Sequence, residues 1–400
     1  VIRIILILIL CQIQIVYAEE FNITSEHVVL YNLNDNEIIY ELEGETKTQI
    51  ASLTKIMTTI VALEEVDNFN EELVVPKEAF NGISAYSQAG LSIGDKVTIK
   101  DLLYGAMLPS GADAVNTLAL HISGSIDKYV ELMNNKASEL DLENTHFDNP
   151  VGMDSEDNYS TASDVAKMLI YALKNETFKE IFTAREYTIP NLNIPMKSTL
   201  ISYSKSYGLD VSEISGAKSG FTDGAGLCLA STATIDDVDY LLITIGAETK
   251  NRSNAVRDTL EIYHYYSSNY SYQTIMKAGD VLVTLPTKWG KAKNYEVKAT
   301  SEKKMYLENG IRKNKLKYEY DGIEELNYKV KKGDKLGTVT VTYRDKSLAT
   351  YDVYLEDTWW MQVINNLGMK LLKNNSWGGS CVAEGTGILL DNIHLVDGRL

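Results

Sequence analysis

Ser52-Leu53-Thr54-Lys55 sets a hydroxyl and an ammonium three residues apart. On a helix that spacing puts both side chains on one face. The chemistry available to such a pair is acyl transfer. A lysine kept dry beside another cation can lose its proton and serve as base to the serine. Backbone N–H groups at a helix start can hold the oxyanion that forms. The same spacing recurs at Ser125/Lys128, Ser202/Lys205, Ser215/Lys218 and Ser301/Lys304, where the plainer reading is surface chemistry. Position selects Ser52, because it opens an amphipathic helical stretch directly after a β-hairpin.

Two further groups could complete such a site. Lys218-Ser219-Gly220 stands just before the apolar run Leu227 to Ala230 and so opens onto a strand edge. A cation, a hydroxyl and a glycine there can bind a carboxylate and let a substrate backbone approach; the plainer reading is a polar turn. Ser110-Gly111-Ala112 forms a loop between two helical stretches and can present a hydroxyl. His27, His121, His146, His264 and His394 are scattered singly and read as structural or surface residues. Metal hydrolysis needs ligands at short spacings, so neither a metal nor another cofactor is expected.

The elements that must position these groups follow from periodicity. Val28 to Tyr31 and Ile38 to Tyr40 flank Asn32-Leu33-Asn34-Asp35-Asn36 and read as a β-hairpin. Leu53, Ile56, Met57, Ile60 and Leu63 form a helical stripe. Leu102 to Leu108 and Ala114 to Ile122 read as helices, as do Tyr129 to Leu140 and Ala162 to Leu173. Strands return at Leu227 to Thr232 and Tyr240 to Ile245, and a helix at Ala255 to Tyr266. This order predicts an α/β domain whose one sheet is assembled from both ends of the segment. From Ile275 to Leu355 there are only short β-like runs with Gly, Asp and Lys turns, which predicts a small all-β second domain.

The chain ends read differently. Arg3, an apolar run from Ile4 to Val16 and small Ala18 resemble a secretory signal over residues 1–18, too short to span a membrane. The catalytic domain then runs over 19–270, the β domain over 275–356 and an amphipathic tail over 357–400. In that tail Trp359, Trp360, Val363, Ile364, Leu367, Leu371 and Leu372 share a helical face. It reads equally as a packed helix or as a peripheral membrane contact. The net charge of −17 argues against nucleic-acid partners, which need a basic face. Cys11, Cys228 and Cys381 do not suggest a disulfide framework. The expected location is outside the cytoplasmic membrane, at the cell wall or membrane surface.

In order and spacing these motifs resemble the penicillin-recognising serine enzymes, and most closely the low-molecular-mass penicillin-binding proteins that are D-alanyl-D-alanine carboxypeptidases. That family carries Ser-x-x-Lys, Ser-x-Asn and Lys-Thr/Ser-Gly. The resemblance extends through Asn144 to Phe147, Asn149 to Met153, Tyr159 to Asp164 and Gly216 to Asp223, and covers about residues 20 to 270. It implies a β-lactamase/transpeptidase-like catalytic domain, α+β in class, with an antiparallel sheet and a helical subdomain, followed by the small all-β domain. It implies a peptidoglycan stem peptide ending in D-Ala-D-Ala as substrate and β-lactams as inhibitors. Carried over, Ser52 is the nucleophile, Lys55 its base and Ser110 the proton relay. Lys218 and Ser219, with Gly220, hold the terminal carboxylate. Ser52 and Phe221 supply the oxyanion amides, and Arg252 supports carboxylate binding.

The chain departs from that pattern in two places. Ala112 stands where the family usually has Asn, removing an amide expected to contact Lys55 and the substrate. Such a contact is worth roughly 1–3 kcal/mol. If the space is open, Ala112→Asn should raise turnover; if neighbours have filled it, or Asp113 has taken over the role, it should not. Phe221 replaces a frequent His, although its backbone can still donate. A β-lactamase and a catalytically weak penicillin-binding wall module are the rival readings.

Overall fold

A computed structural model describes residues 21–287, 294–311, 313–326, 330–344 and 346–355. The proposed signal segment and the tail from residue 356 lie outside the described residues, as does Cys381. The chain divides into two compact units between Ser268 and Asn269.

In the first unit, β1 (His27–Asn32) and β2 (Glu37–Leu42) form the expected hairpin. Asn32 builds its turn by accepting the Asn34 and Asp35 amides at 3.0 and 3.3 Å. A one-turn 3-10 segment, Ala51–Leu53, leads into α1 (Thr54–Glu65). The ribbon β3 (Glu72–Val74) with β4 (Lys96–Thr98) precedes α2 (Ile99–Met107). Thr98 and Asp101 cap α2 reciprocally, satisfying amides that have no intrahelical partner. Then come α3 (Ala112–Ser123), α4 (Ile126–Glu139), α5 (Ala162–Ala172) and α6 (Glu176–Thr183). Ser125, Thr161 and Asn175 cap the last three. The hairpin β5 (Glu186–Ile189) and β6 (Ile194–Lys197) leads to α7 (Thr199–Tyr207). The unit closes with β7 (Ile214–Thr222), β8 (Gly226–Ile235), β9 (Val238–Ala247) and α8 (Asn254–Asn269).

The sheet order is β2-β1-β9-β8-β7, and every pairing is antiparallel. One sheet is thus assembled from both ends of the unit. Both its faces are covered. Leu241, Ile243 and Ile245 join the large core shared with α1 and α5. On the opposite face Thr244 and Ser231 meet Thr259 and Tyr263 of α8. A strand buried on both sides reads as a near-continuous apolar run, as Tyr240 to Ile245 does.

Two elements differ from the sequence reading. Helix α1 is not amphipathic in place: every residue from Thr54 to Leu63 is buried, because α2 to α6 surround it. Its Thr58 and Thr59 hydroxyls are satisfied by the Pro150 and Lys55 carbonyls, so polar residues can sit inside. Lys218-Ser219-Gly220 is not a turn before a strand but lies within β7, the edge strand of the sheet.

The second unit is all β. Its strands are β10 (Tyr270–Met276), β11 (Val281–Pro286), β12 (Asn294–Lys298), β13 (Lys303–Glu308), β14 (Lys317–Gly322), β15 (Lys335–Tyr343) and β16 (Lys346–Tyr354). They pair as β10 with β13, β11 with β12, and β14-β15-β16. Two small apolar clusters serve it, one around Leu285, Leu336 and Val339, the other around Ile275, Leu307 and Val341.

Candidate active site

Ser52 sits in the 3-10 turn, half-buried, at the head of the buried helix α1. The turn is held in an uncommon shape: Ala51 has φ of +46° and is buried. Such a conformation persists only when its surroundings over-determine it. Two glycines do so here. A Cβ on Gly152 would lie 1.9 Å from the Ala51 carbonyl oxygen, and one on Gly220 would lie 3.0 Å from the Ser52 nitrogen. Gly220 therefore does more than admit substrate, since its bare backbone lets β7 lie against the nucleophile turn itself.

Lys55 is 2% exposed, and its Nζ lies 2.8 Å from Ser52 Oγ and 2.6 Å from the Val151 carbonyl oxygen. Burial pushes its pKa down to about 7, against the pull of the nearby Asp113 carboxylate. Val151 belongs to a loop clamped by Asn149, whose Oδ1 accepts the Val151, Gly152 and Met153 amides at 3.3, 2.8 and 2.9 Å. Thr58 of α1 binds the Pro150 carbonyl at 2.6 Å, tying the loop to the helix that carries Lys55.

Ser110 follows α2 in the left-handed region, at φ of +64°, and is buried. Lys218 donates to Ser110 Oγ at 2.9 Å and to the Ser219 carbonyl at 2.8 Å. It is fully buried, and its pKa is held well below the usual lysine value, first by burial and then by the charge of Lys55. The Ser219 hydroxyl lies 2.6 Å from that of Thr199. Ser52, Lys55, Ser110 and the run Ser219 to Asp223 line one cleft of about 320 Å³, together with Thr199, Tyr86, Ser87, Tyr203 and Asp154. Six of the eight residues expected at the site thus share its lining. Lys218 lies behind, reaching the cleft through Ser110. Arg252 is exposed and not among the lining side chains; its guanidinium stacks 3.9 Å from the Phe221 ring centre.

Of the two possibilities left open at Ala112, the structure favours a filled space. Ala112 is wholly buried in an apolar cluster with Ile83, Ala106, Val115 and Val151. Its amide donates to Ser87 at 2.8 Å. Asp113 is committed to backbone amides. Its oxygens accept the Ala89, Leu91 and Ala114 amides at 2.6, 3.1 and 3.0 Å, so it acts on Lys55 through its charge. The backbone carbonyl of Val151 occupies the donor valence of Lys55 that a side-chain amide was expected to take.

Sequence reasoning gave no role to Asn149, Val151, Gly152 or Thr199, although the first three lie in a stretch that carries the family resemblance. The first three carried a signal: Asn-Pro followed by Gly marks a turn, although nothing local says which lysine its carbonyl meets. Thr199 carried none.

Comparisons with known proteins bear on family and fold. Residues 14–249 match the D-alanyl-D-alanine carboxypeptidase family, and residues 270–359 match the C-terminal domain of penicillin-binding protein 5. The D-alanyl-D-alanine carboxypeptidase DacF of Bacillus subtilis is 29% identical over 329 residues, covering 81% of this chain and 83% of its own. DacC of Escherichia coli is 28% identical over 333 residues, covering 80% of each. In fold, penicillin binding protein 5 from Haemophilus influenzae has a TM-score of 0.63 at 23% identity, covering 84% of this chain and 98% of its own. The chain belongs to the D-alanyl-D-alanine carboxypeptidase family, serine hydrolases that act on peptidoglycan peptides ending in D-Ala-D-Ala and bind β-lactams.

Proposed function

We propose that Ser52 carries the carboxypeptidase reaction, with Lys55 as its base. The observation that supports this most is the 2.8 Å contact between Lys55 Nζ and Ser52 Oγ inside a buried pocket. As a neutral amine, Lys55 donates one N–H to Val151 and turns its lone pair to the Ser52 hydroxyl. Ser52 Oγ attacks the carbonyl of the penultimate D-alanine while its proton passes to Lys55. The oxyanion settles on the Ser52 and Phe221 amides. Ser110, hydrogen-bonded to Lys218, delivers a proton to the departing amine, and the C–N bond breaks to release D-alanine. Water then cleaves the Ser52 ester. Lys218 and Ser219 hold the terminal carboxylate, and Phe221 holds Arg252 over the same wall. A β-lactam amide opened by Ser52 keeps its leaving nitrogen tethered, so the acyl-enzyme persists.

The test is D-alanine release from a peptide ending in D-Ala-D-Ala, alongside the protein's mass after penicillin treatment. Ser52→Ala should lose both the adduct and the release, and Lys55→Ala nearly so. Full activity in Ser52→Ala would refute the assignment. A wild type that labels but releases no D-alanine would favour the weak penicillin-binding module.

The location reading rests on sequence alone. Residues 1–18 direct export, and Trp359 to Lys373 rests on a membrane surface through its two tryptophans, a residue favoured at such interfaces. N-terminal sequencing of protein from its host should find a start near Glu19. Truncation at Glu356 should shift the protein to the soluble fraction; no shift would remove the tail from this role.

A further inference from the structure

We infer that Thr199 is a positioning residue of the carboxylate subsite, orienting the Ser219 hydroxyl toward the substrate's terminal carboxylate. This rests on the proposed role of Lys218 and Ser219. Thr199 opens α7 and Ser219 lies in β7, yet their hydroxyl oxygens are 2.6 Å apart and both side chains line the cleft with Ser52. The Thr199 hydroxyl contacts Ser219 and is not the helix cap: the N-cap of α7 is Ser198, and the Thr199 amide goes to the Leu108 carbonyl at 3.2 Å.

A carboxylate only accepts hydrogen bonds, and a serine hydroxyl has one hydrogen to give. If Ser219 spends that hydrogen on Thr199, none remains for the substrate. If Thr199 donates to Ser219, the Ser219 hydrogen is free to point into the cleft. Either atom of the pair can be the donor, so an arriving carboxylate selects the second arrangement. A bond to an ionised acceptor is stronger than a neutral one, and a chain of donors polarises in the same sense. Lys218 directs its bonds to Ser110 and to the Ser219 carbonyl. The hydroxyl pair then supplies the aimed donor at the far end of the subsite.

The experiment compares Thr199→Val, Thr199→Ala and Thr199→Ser with wild type. The readouts are KM and kcat for D-alanine release, and acylation rates with benzylpenicillin and with its methyl ester, which lacks the carboxylate charge. Thr199→Val and Thr199→Ala should raise KM about three- to tenfold with a smaller effect on kcat. Both should slow acylation by the acid by a similar factor and leave the ester nearly unchanged. Thr199→Ser should restore wild-type values. Valine and alanine variants that match wild type on the acid would overturn the inference while leaving the reading of the site intact. Equal losses on acid and ester, or no rescue by serine, would also overturn it. A wild type that neither acylates nor releases D-alanine would remove the underlying reading and the inference with it.

Discussion

Lys218 donates to Ser110 at 2.9 Å across 108 residues of sequence. The bond joins the sheet edge to the turn between α2 and α3, on opposite walls of the cleft. It also holds Lys218 buried near Lys55, and burial together with the Lys55 charge keeps the Lys218 pKa well below the usual lysine value.

The pH profile should report Lys55. Its amine must be neutral to accept the Ser52 proton, and its pKa lies at about 7. Acylation should therefore plateau above that pH and fall about tenfold per unit below it. The same shift has a stability consequence. Between about 7 and the ordinary lysine value of 10.5, the unfolded chain binds a proton that native Lys55 does not. Stability from this group should thus rise with pH across that window and hold level below it. Penicillin acylation rates against pH check the first statement, and denaturant titrations at several pH values the second.

Ser110→Ala and Lys218→Met should behave differently. Removing the hydroxyl costs the proton relay but leaves Lys218 its bond to the Ser219 carbonyl. D-alanine release should fall roughly 10²- to 10⁴-fold. Lys218→Met removes the donor to both Ser110 and the Ser219 carbonyl, so it should cut acylation as well as release while leaving the acid limb of any residual acylation, which burial of Lys55 sets, near pH 7. A limb that moves to higher pH would show that Lys218 also lowers the Lys55 pKa.

Gly152→Ala should be severely destabilising. The added methyl meets the Ala51 carbonyl oxygen at 1.9 Å, at a position with φ of +83°. A loss of ~4 kcal/mol or more is expected, in the exceptional range for a single methyl. Denaturant midpoints measure it. An ordinary midpoint would mean that the nucleophile turn is not held from that side.

Asn149→Ala should loosen the carbonyl that receives Lys55. Three backbone amides lose their acceptor, at a cost of about 1–3 kcal/mol. Acylation should slow about tenfold or more even where the fold survives. Asn149→Asp keeps an acceptor oxygen and should retain most of the rate. Equal damage in both would assign Asn149 a purely structural place.

Ala112→Asn should lower stability and fail to raise turnover. The added amide enters the cluster of Ile83, Ala106, Val115 and Val151. Burying it without partners costs about 1–3 kcal/mol. A gain in kcat would show that it reaches Lys55 and displaces Val151 productively.

Much of this protein was legible along the chain. The hairpin at Val28, the helices after Ser52 and the strands at Leu227 and Tyr240 follow from short-range periodicity, which local sterics and burial impose. Ser52, Lys55, Ser110 and Lys218 were singled out because a reaction demands those residue types and their order matched a known family; the structure brings them together. Strand β7 was missed because its sequence, ISGAKSGFT, has little apolar alternation. Its polar and glycine positions serve the cleft, and a strand read for packing alone gives them no signal. Helix α1 was read as amphipathic because a stripe is visible in sequence, whereas burial on every face depends on how many elements surround it. Only tertiary structure decided that the Val151 carbonyl meets Lys55, that Ala112 leaves no vacancy and that Thr199 touches Ser219. Those contacts join residues 20 to 96 positions apart or set the space around a methyl group. Nothing in local propensity encodes them, because the free energy that selects them comes from packing the whole unit.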